Sequence, residues 1–472
     1  MRYVSTRGRA PVLDFAGVLL AGLAEDGGLY VPETWPSFSA AEIRALRGLP
    51  YAALAARVMA PFVGAATPDL ERLCKEVYAG FDHPAVVPLM QLETGLWVQE
   101  LFHGPTLAFK DLALQLVGRM FEEVLQGERL TIVGATSGDT GAAAIEALKN
   151  RSGIAIAILH PKGRVSEVQR RQMTTTTALN VANIAIEGSF DDCQDLVKAM
   201  FADAEFRREM RLSAVNSINW ARIAAQIPYY FAAALALGAP EREVAFSVPT
   251  GNFGNVLAAW VAARMGLPIA GLIVACNQND ILARFLAVND MSVRPVVPSV
   301  APSMDIQVSS NFERLLFELV DRDPEAVERI MLGFRREGRM AVPAAAWQRM
   351  RAVFSGFALD DAGTEAEIGR LHRVCGYLAD PHSAIGIAAA RDASIAGRIA
   401  PSVPRIAAAT AHPAKFAPAV ERASGVRPTL PARLADLYQR PEHYAVAGND
   451  LVAVEGLVRA LAERTAGLGI AA

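Results

Sequence analysis

The segment LTIVGATSGDTGAAAIEALK, residues 130–149, sets a β-branched apolar run, Leu130–Val133, directly before a loop of small residues. An alanine-rich stretch, Ala142–Lys149, follows it. β-Branched side chains suit a buried strand, glycine and small polar residues suit a sharp turn, and alanine favours helix. The same order recurs along the chain. Ile154–Leu159 leads through HPKG into Val165–Met173. Val181–Ile186 leads through Glu187, Gly188 and Ser189 into Asp191–Met200, with Ser189 and Asp192 spaced as a capping box. Val244–Val248 leads through PTGNFGN into Val256–Met265, and Arg405–Ala409 leads through TAHPAKF into a further helical run. Strand, loop and helix in repetition predict an α/β fold with mostly parallel sheets. Ligands bind such sheets at the carboxyl ends of the strands, where these loops lie.

The chain has 472 residues, enough for more than one domain. Apolar residues make up 52% and charged residues 20%, the balance of a globular core. A net charge of −3 implies no general attraction to nucleic acid or to anionic lipid. The four cysteines, at 74, 193, 276 and 375, form no CxxC pair, so no metal site is expected and four buried thiols are. Unpaired thiols suit a reducing compartment. The N-terminus, MRYVSTRGRA, has no apolar signal core, and the run Phe15–Ala24 is short. The longer run Phe253–Cys276 is interrupted by Arg264, Gly266 and Pro268, which favours a helix followed by a buried strand over a membrane span. These features together predict a soluble, cytoplasmic protein. The first ninety or so residues are less regular, with a turn at Glu25–Gly28 and helical patterns at Ala40–Arg47 and Asp69–Tyr78. Residues 279–345 are richer in charge and read as a helical insertion.

Three loops could carry chemistry. In PTGNFGN, Gly251 and Gly254 bracket a turn that opens a helix, whose free N–H groups and dipole would hold an anion such as phosphate. It is neither a Walker A loop nor GxGxxG, and an ordinary tight turn explains it equally well. In GATSGDTG, Thr136, Ser137 and Thr140 add hydroxyls that suit a carboxylate or phosphate, while Asp139 would repel one. Turn formation and capping explain that composition too.

The third is HGPTLAFKDLALQ, residues 103–115. Lys110 stands between a Gly-Pro turn and a helix with a broad apolar face, on which Leu112, Leu116, Met120 and Val124 recur every four residues. A solvated lysine near a helix start is the plain reading. A partly buried one has a lowered proton affinity, and a free amine forms imines with carbonyl compounds. An aldehyde cofactor carrying a phosphate needs such a lysine and a separate phosphate loop, which points to pyridoxal phosphate.

HGPTLAFKD, GATSGDTG, PTGNFGN, DPHSAIG (residues 380–386) and TAHPAKF (residues 410–416) occur in this order in threonine synthases, and YVSTRG with LAEDGGLYVPE resembles that family's N-terminus. The resemblance is to the longer bacterial and fungal type and runs to about Phe416. It implies pyridoxal-phosphate fold type II, like the tryptophan synthase β subunit: two α/β domains with open, mostly parallel twisted sheets and an N-terminal extension. The expected division is an extension over 1–95, a smaller domain over 96–240, and a larger cofactor-phosphate domain over 241–425 that carries the insertion. A C-terminal helical segment over 426–472 completes it.

The resemblance also assigns residues. Lys110 matches the lysine that holds the cofactor and acts as base, and Gly251, Asn252, Phe253, Gly254 and Asn255 match the cofactor phosphate cup. Thr410 matches the hydroxyl facing the pyridine nitrogen. Ser137, Gly138, Asp139, Thr140 and Gly141 match the grip on the substrate carboxylate, although related enzymes often carry Asn at the position of Asp139. In NSINWAR, Asn216, Ser217 and Arg222 match contacts to the substrate phosphate, and Arg is the expected clamp for a dianion. Lys162 is a weaker candidate for that task. For His382 and His412, capping or loop packing is expected.

The implied reaction converts O-phospho-L-homoserine and water to L-threonine and phosphate by γ-elimination and β-hydration, the last step of threonine biosynthesis. Rivals are a phospho-lyase of the same family, yielding a 2-oxo acid, ammonia and phosphate, and an inactive paralogue that only binds pyridoxal phosphate or phosphate. A serine or threonine dehydratase would have little use for a second phosphate site. The long type implies a monomer, with a dimer as the alternative; neither nucleic acid nor membrane is expected as a partner.

Overall fold

The recurring units assemble into two sheets. One has six strands in the order Phe354–Ala358, Ile269–Cys276, Val244–Pro249, Arg405–Ala409, Leu96–Glu100 and Leu89–Glu93. It is parallel throughout except for the closing hairpin, Leu89–Glu93 against Leu96–Glu100. The second has five parallel strands in the order Ala445–Ala447, Val181–Ile186, Ile154–Pro161, Leu130–Ala135 and Leu212–Ser213. The computed structural model describes residues 1–466. Every residue of Val244–Pro249 and of Ile154–Pro161 is buried, as expected of strands covered on both faces. The fold is therefore α/β with mainly parallel sheets and a separate N-terminal part.

The sheets do not follow the expected division of the chain. Leu89–Glu93 and Leu96–Glu100 straddle residue 95, yet both belong to the six-stranded sheet. The C-terminal stretch is not only helical, because Ala445–Ala447 crosses back to pair with Val181–Ile186. The helix Leu451–Ala466 then covers that sheet through Val454, Val458 and Leu461. Strand pairing joins segments remote in sequence, which local periodicity does not register.

Three of the helices begin earlier than their apolar patterns suggest, at Lys110, Asp139 and Gly254. Gly138, at φ 141°, and Phe253, at φ 62°, turn the backbone sharply, so a helix starts at the next residue. Phe253–Cys276 resolves into the helix Gly254–Arg264 and the strand Ile269–Cys276. Among the described residues no helix is long and apolar enough to cross a membrane. All four cysteines are free; Cys74, Cys193 and Cys276 are buried, whereas Cys375 is only partly so.

The N-terminal residues clasp the interior. Tyr3–Ser5 pairs antiparallel with Tyr30–Pro32, and the Tyr3 hydroxyl donates to the Phe62 carbonyl at 2.9 Å. The fully buried Trp220 ring sits 6.1, 5.8 and 5.7 Å from the rings of Tyr3, Trp35 and Phe62. Arg7 forms a buried pair with Glu313 of the insertion at 3.0 Å. The insertion contributes the helices Ile281–Val288, Phe312–Leu319 and Pro324–Glu337.

Candidate active site

Parallel sheets aim all their carboxyl ends one way. The cup Gly251–Asn255 follows Val244–Pro249, Thr410 follows Arg405–Ala409, and the Lys110 loop follows Leu96–Glu100. From the second sheet, GATSGDTG leaves Leu130–Ala135 and NSINWAR leaves Leu212–Ser213. The two sets of loops meet. Lys110 Nζ lies 3.2 Å from Asp139 Oδ2, and a Cβ added at Gly254 would stand 3.3 Å from Ile223 in the Arg222 helix.

The loop Gly251–Asn255 has the donors that an anion site needs. Among the described residues, none of the N–H groups of Gly251, Asn252, Phe253, Gly254 and Asn255 has a protein acceptor. The start of a helix leaves such donors free and adds its positive dipole end. The carbonyls on the reverse side are taken up by the insertion: Ser309 donates to Gly251, and Asn311 donates to Asn252 from its backbone N–H and its Nδ2. Asn255 Oδ1 accepts from Tyr229 and Tyr230, and its buried Nδ2 has no partner among the described residues. At Gly251 a Cβ would come within 2.8 Å of the Ser303 carbonyl, so only glycine fits.

The GATSGDTG loop offers a second set of donors. Thr136 Oγ1 accepts the N–H of Gly138 at 3.0 Å and of Gly141 at 2.8 Å. The N–H groups of Ser137, Asp139 and Thr140 are left free of protein acceptors among the described residues. The Asp139 side chain does not join them. Its Oδ1 accepts from Lys415 at 2.7 Å and from Gln169 at 2.8 Å, and its Oδ2 faces Lys110. Burial opposes this anion, but the charges of Lys110 and Lys415 outweigh it and hold the carboxyl well below the usual carboxylate range. The repulsion expected from Asp139 is thus cancelled by two lysines.

Burial lowers the proton affinity of Lys110, with Asp139 opposing. The amine also sits 4.8 Å from the centroid of the Phe109 ring. Arg222 is 3% exposed, and among the described residues its one side-chain bond runs from Nη1 to the Val215 carbonyl at 2.7 Å. Its Nε is buried without a partner, and among the described residues no carboxylate pairs with it. Burial pulls it down to about 10. A buried, unpaired guanidinium is costly unless an anion completes it. Asn216 and Ser217, both half-buried, lie on the same segment.

Thr410 is buried, its N–H bonded to Ser383 Oγ at 3.0 Å. Its carbonyl accepts the Phe109 N–H at 2.9 Å, which sets the Lys110 loop against the end of the strand. His382 holds Asp380 at 2.8 Å and accepts the Ser303 N–H, and His412 Nδ1 accepts the Ala414 N–H at 3.2 Å. Both are capping and packing residues. Lys162 is half-exposed and paired with Glu187 at 2.9 Å, so it is not a spare cation. Among the described residues no cluster of His, Cys, Asp and Glu is placed to hold a metal ion.

Sequence reasoning passed over Lys415, Gln169, Ser309 and Asn311. For Lys415 a signal was present: it lies inside TAHPAKF with Pro413, Ala414 and Phe416 around it, all buried. Nothing in their neighbourhood marks Ser309 and Asn311, because their partners are nearly sixty residues away.

The fold and these facing loops define a pyridoxal-phosphate-dependent enzyme of fold type II. The pyridoxal-phosphate-dependent enzyme family model matches residues 84–347, the threonine synthase N-terminus model residues 2–78, and the threonine synthase C-terminal model residues 383–458. The threonine synthase of Pseudomonas aeruginosa is 55% identical over 97% of this chain and 98% of its own, and that of Corynebacterium glutamicum 41% over 96% and 97%. The structure of pyridoxal-phosphate-bound threonine synthase from Brucella melitensis matches with a TM-score of 0.94 at 53% identity, covering 98% of this chain and 99% of that one. The yeast threonine synthase structure matches with a TM-score of 0.92 at 37% identity, covering 99% of each. The chain belongs to the threonine synthase family. The cofactor is pyridoxal phosphate, and the residues present fit it: a cup of N–H donors and an Asn255 Nδ2 that have no protein partner among the described residues, and an amine of lowered proton affinity.

Proposed function

We propose that the chain converts O-phospho-L-homoserine and water to L-threonine and phosphate, the last step of threonine biosynthesis. The observation that carries this reading is Arg222, a buried guanidinium with no carboxylate partner among the described residues, whose charge opposes protonation of Lys110. The reaction needs two phosphate sites. The free N–H groups of Gly251 to Asn255 would take the cofactor's, and Arg222 with Asn216 and Ser217 the substrate's.

Bound pyridoxal phosphate would supply an electron sink for the pair left when the substrate α-proton departs. Lys110 would hold the cofactor and, once freed by the substrate amine, take that α-proton as general base. The same amine would move a β-proton, after which phosphate leaves towards Arg222. The N–H groups of Ser137, Asp139 and Thr140 would hold the substrate carboxylate and so limit the orientations open to the reacting carbons. Water then adds at the β-carbon, so one water enters and one phosphate leaves for each threonine formed. Thr410 would meet the pyridine nitrogen with a hydroxyl, which protonates it less firmly than a carboxylate would. A cytoplasmic, monomeric enzyme acting on this small molecule is part of the same reading.

The test is a single assay on purified, cofactor-loaded protein given O-phosphohomoserine, following phosphate and threonine together. Equal amounts of both support the reading. Phosphate with 2-oxobutyrate and no threonine would replace it with a phospho-lyase, and no phosphate would remove the substrate assignment.

A further inference from the structure

A lysine that must act as a free amine here faces a buried carboxylate, which favours its protonated form. Asp139 Oδ2 is 3.2 Å from Lys110 Nζ. Asp139 is itself fixed as an anion: it opens the helix Asp139–Leu148 and accepts Gln169 Nε2 at 2.8 Å. Left alone, the pair would hold the proton on Lys110.

A second ammonium changes the balance. Lys415 is 1% exposed, with Nζ 2.7 Å from Asp139 Oδ1 and 2.7 Å from the Thr106 carbonyl. Thr106 is immobilised in turn, its N–H and hydroxyl each 2.7 Å from an oxygen of the buried Asp111. Lys415 therefore has two acceptors at short range, and Lys110 has one at longer range. The charged groups facing Lys110 are Asp139 from the helix Asp139–Leu148, Lys415 from the turn after Arg405–Ala409, and Arg222 from the helix Trp220–Ala224. Asp111, on the Lys110 helix itself, is bonded to Thr106, and burial pushes its carboxyl up to about 6. Two lysines thus share one fully ionised carboxylate with Arg222 as a further nearby positive charge, and the less well held lysine is the one to release a proton.

We infer that Lys415 is a positioning residue that neutralises Asp139, so that Lys110 is oriented by the carboxylate without being locked in its protonated form. This rests on the reading of Lys110 as the cofactor lysine. It explains why the carboxylate is tolerated: Oδ2 aims the amine, and the charge on Oδ1 is already satisfied.

The experiment measures how fast trinitrobenzenesulfonate labels Lys110 in the full-length protein freed of cofactor, as a function of pH, read by peptide mass spectrometry. The labelling midpoint reports the proton affinity of Lys110 alone. In Lys415→Met the midpoint rises by a pH unit or more, a tenfold loss of reactivity at a fixed pH below it. In Asp139→Asn it falls, and the double variant lies between the two singles. A brace that was only structural would lower thermal stability and leave the midpoint in place. An unmoved or lowered midpoint in folded Lys415→Met overturns the inference. Where that variant does not fold, Asp139→Asn decides, and a midpoint that fails to fall overturns it. Borohydride reduction of cofactor-loaded protein separates the two readings: attachment at another lysine removes the cofactor role of Lys110 and leaves the labelling result intact.

Discussion

Asn311 closes on the carbonyl of Asn252 with two donors, its backbone N–H at 3.2 Å and its side-chain Nδ2 at 3.0 Å. With that carbonyl turned to the insertion, the N–H groups of the cup are left on the opposite side for an anion. The Asn311 carboxamide also accepts from Arg314, which donates in turn to the Ile218 carbonyl within the NSINWAR segment. One pair of insertion residues thereby braces both the Gly251–Asn255 loop and the NSINWAR segment. Asn311→Ala removes about 1 kcal/mol of hydrogen bonding from the cup. Pyridoxal phosphate affinity is expected to fall by roughly five- to tenfold, measured by fluorescence titration of cofactor-free protein.

Lys110→Ala is expected to fold and to retain no steady turnover. Lys110 is half-buried and opens its helix without a capping bond, so its loss costs little structure. Multiple-turnover phosphate release from that variant would remove the amine from the chemistry.

Arg222→Met is expected to separate stability from activity. The guanidinium is buried with one carbonyl partner and an orphaned Nε, so an apolar side chain of similar length leaves the melting temperature unchanged or higher. Loss of a charge-assisted clamp of about 2–3 kcal/mol lowers kcat/KM by roughly 30- to 150-fold. A variant that melted earlier yet kept its kcat/KM would make Arg222 a structural residue.

Trp220→Ala tests the clasp between the N-terminal residues and the Arg222 helix. The ring is fully buried among Tyr3, Trp35 and Phe62. Its removal is expected to cost about 3–5 kcal/mol, read from urea unfolding, together with weaker substrate binding. A cost under 1 kcal/mol would mean that the cavity collapses readily.

His412 gives the folded state an acid-sensitive point. Burial, with the nearby His103 adding to it, pulls the imidazole down to about 4, against about 6.5 unfolded. Between those values the unfolded chain binds a proton that the folded one does not. Stability is therefore unaffected above about pH 6.5 and falls as pH drops towards 4, by up to about 3 kcal/mol. Protonation would also break the bond from the Ala414 N–H. Urea unfolding from pH 7 to pH 4 should show the slope in the native protein and a shallower one in His412→Asn.

Much of this protein was legible in its sequence. The β-branched runs, small-residue loops and alanine-rich stretches gave the strand–loop–helix units, because each depends on residues adjacent in the chain. Val181–Ile186 and Arg405–Ala409 have the bounds expected of them, and the capping box of Ser189 and Asp192 is formed. Lys110, the cup and GATSGDTG stood out because glycine turns and helix entrances are local signals. What the sequence could not show is which strand lies beside which. The pairing of Ala445–Ala447 with Val181–Ile186, and the hairpin across residue 95, exist only after distant segments meet. The same holds for the electrostatics of the site. Asp139 reads as a hindrance to anion binding until Lys415, 276 positions later by their numbering, comes within 2.7 Å of it. Proton affinity is set by burial and by charges a few ångströms away, and those distances belong to the fold alone.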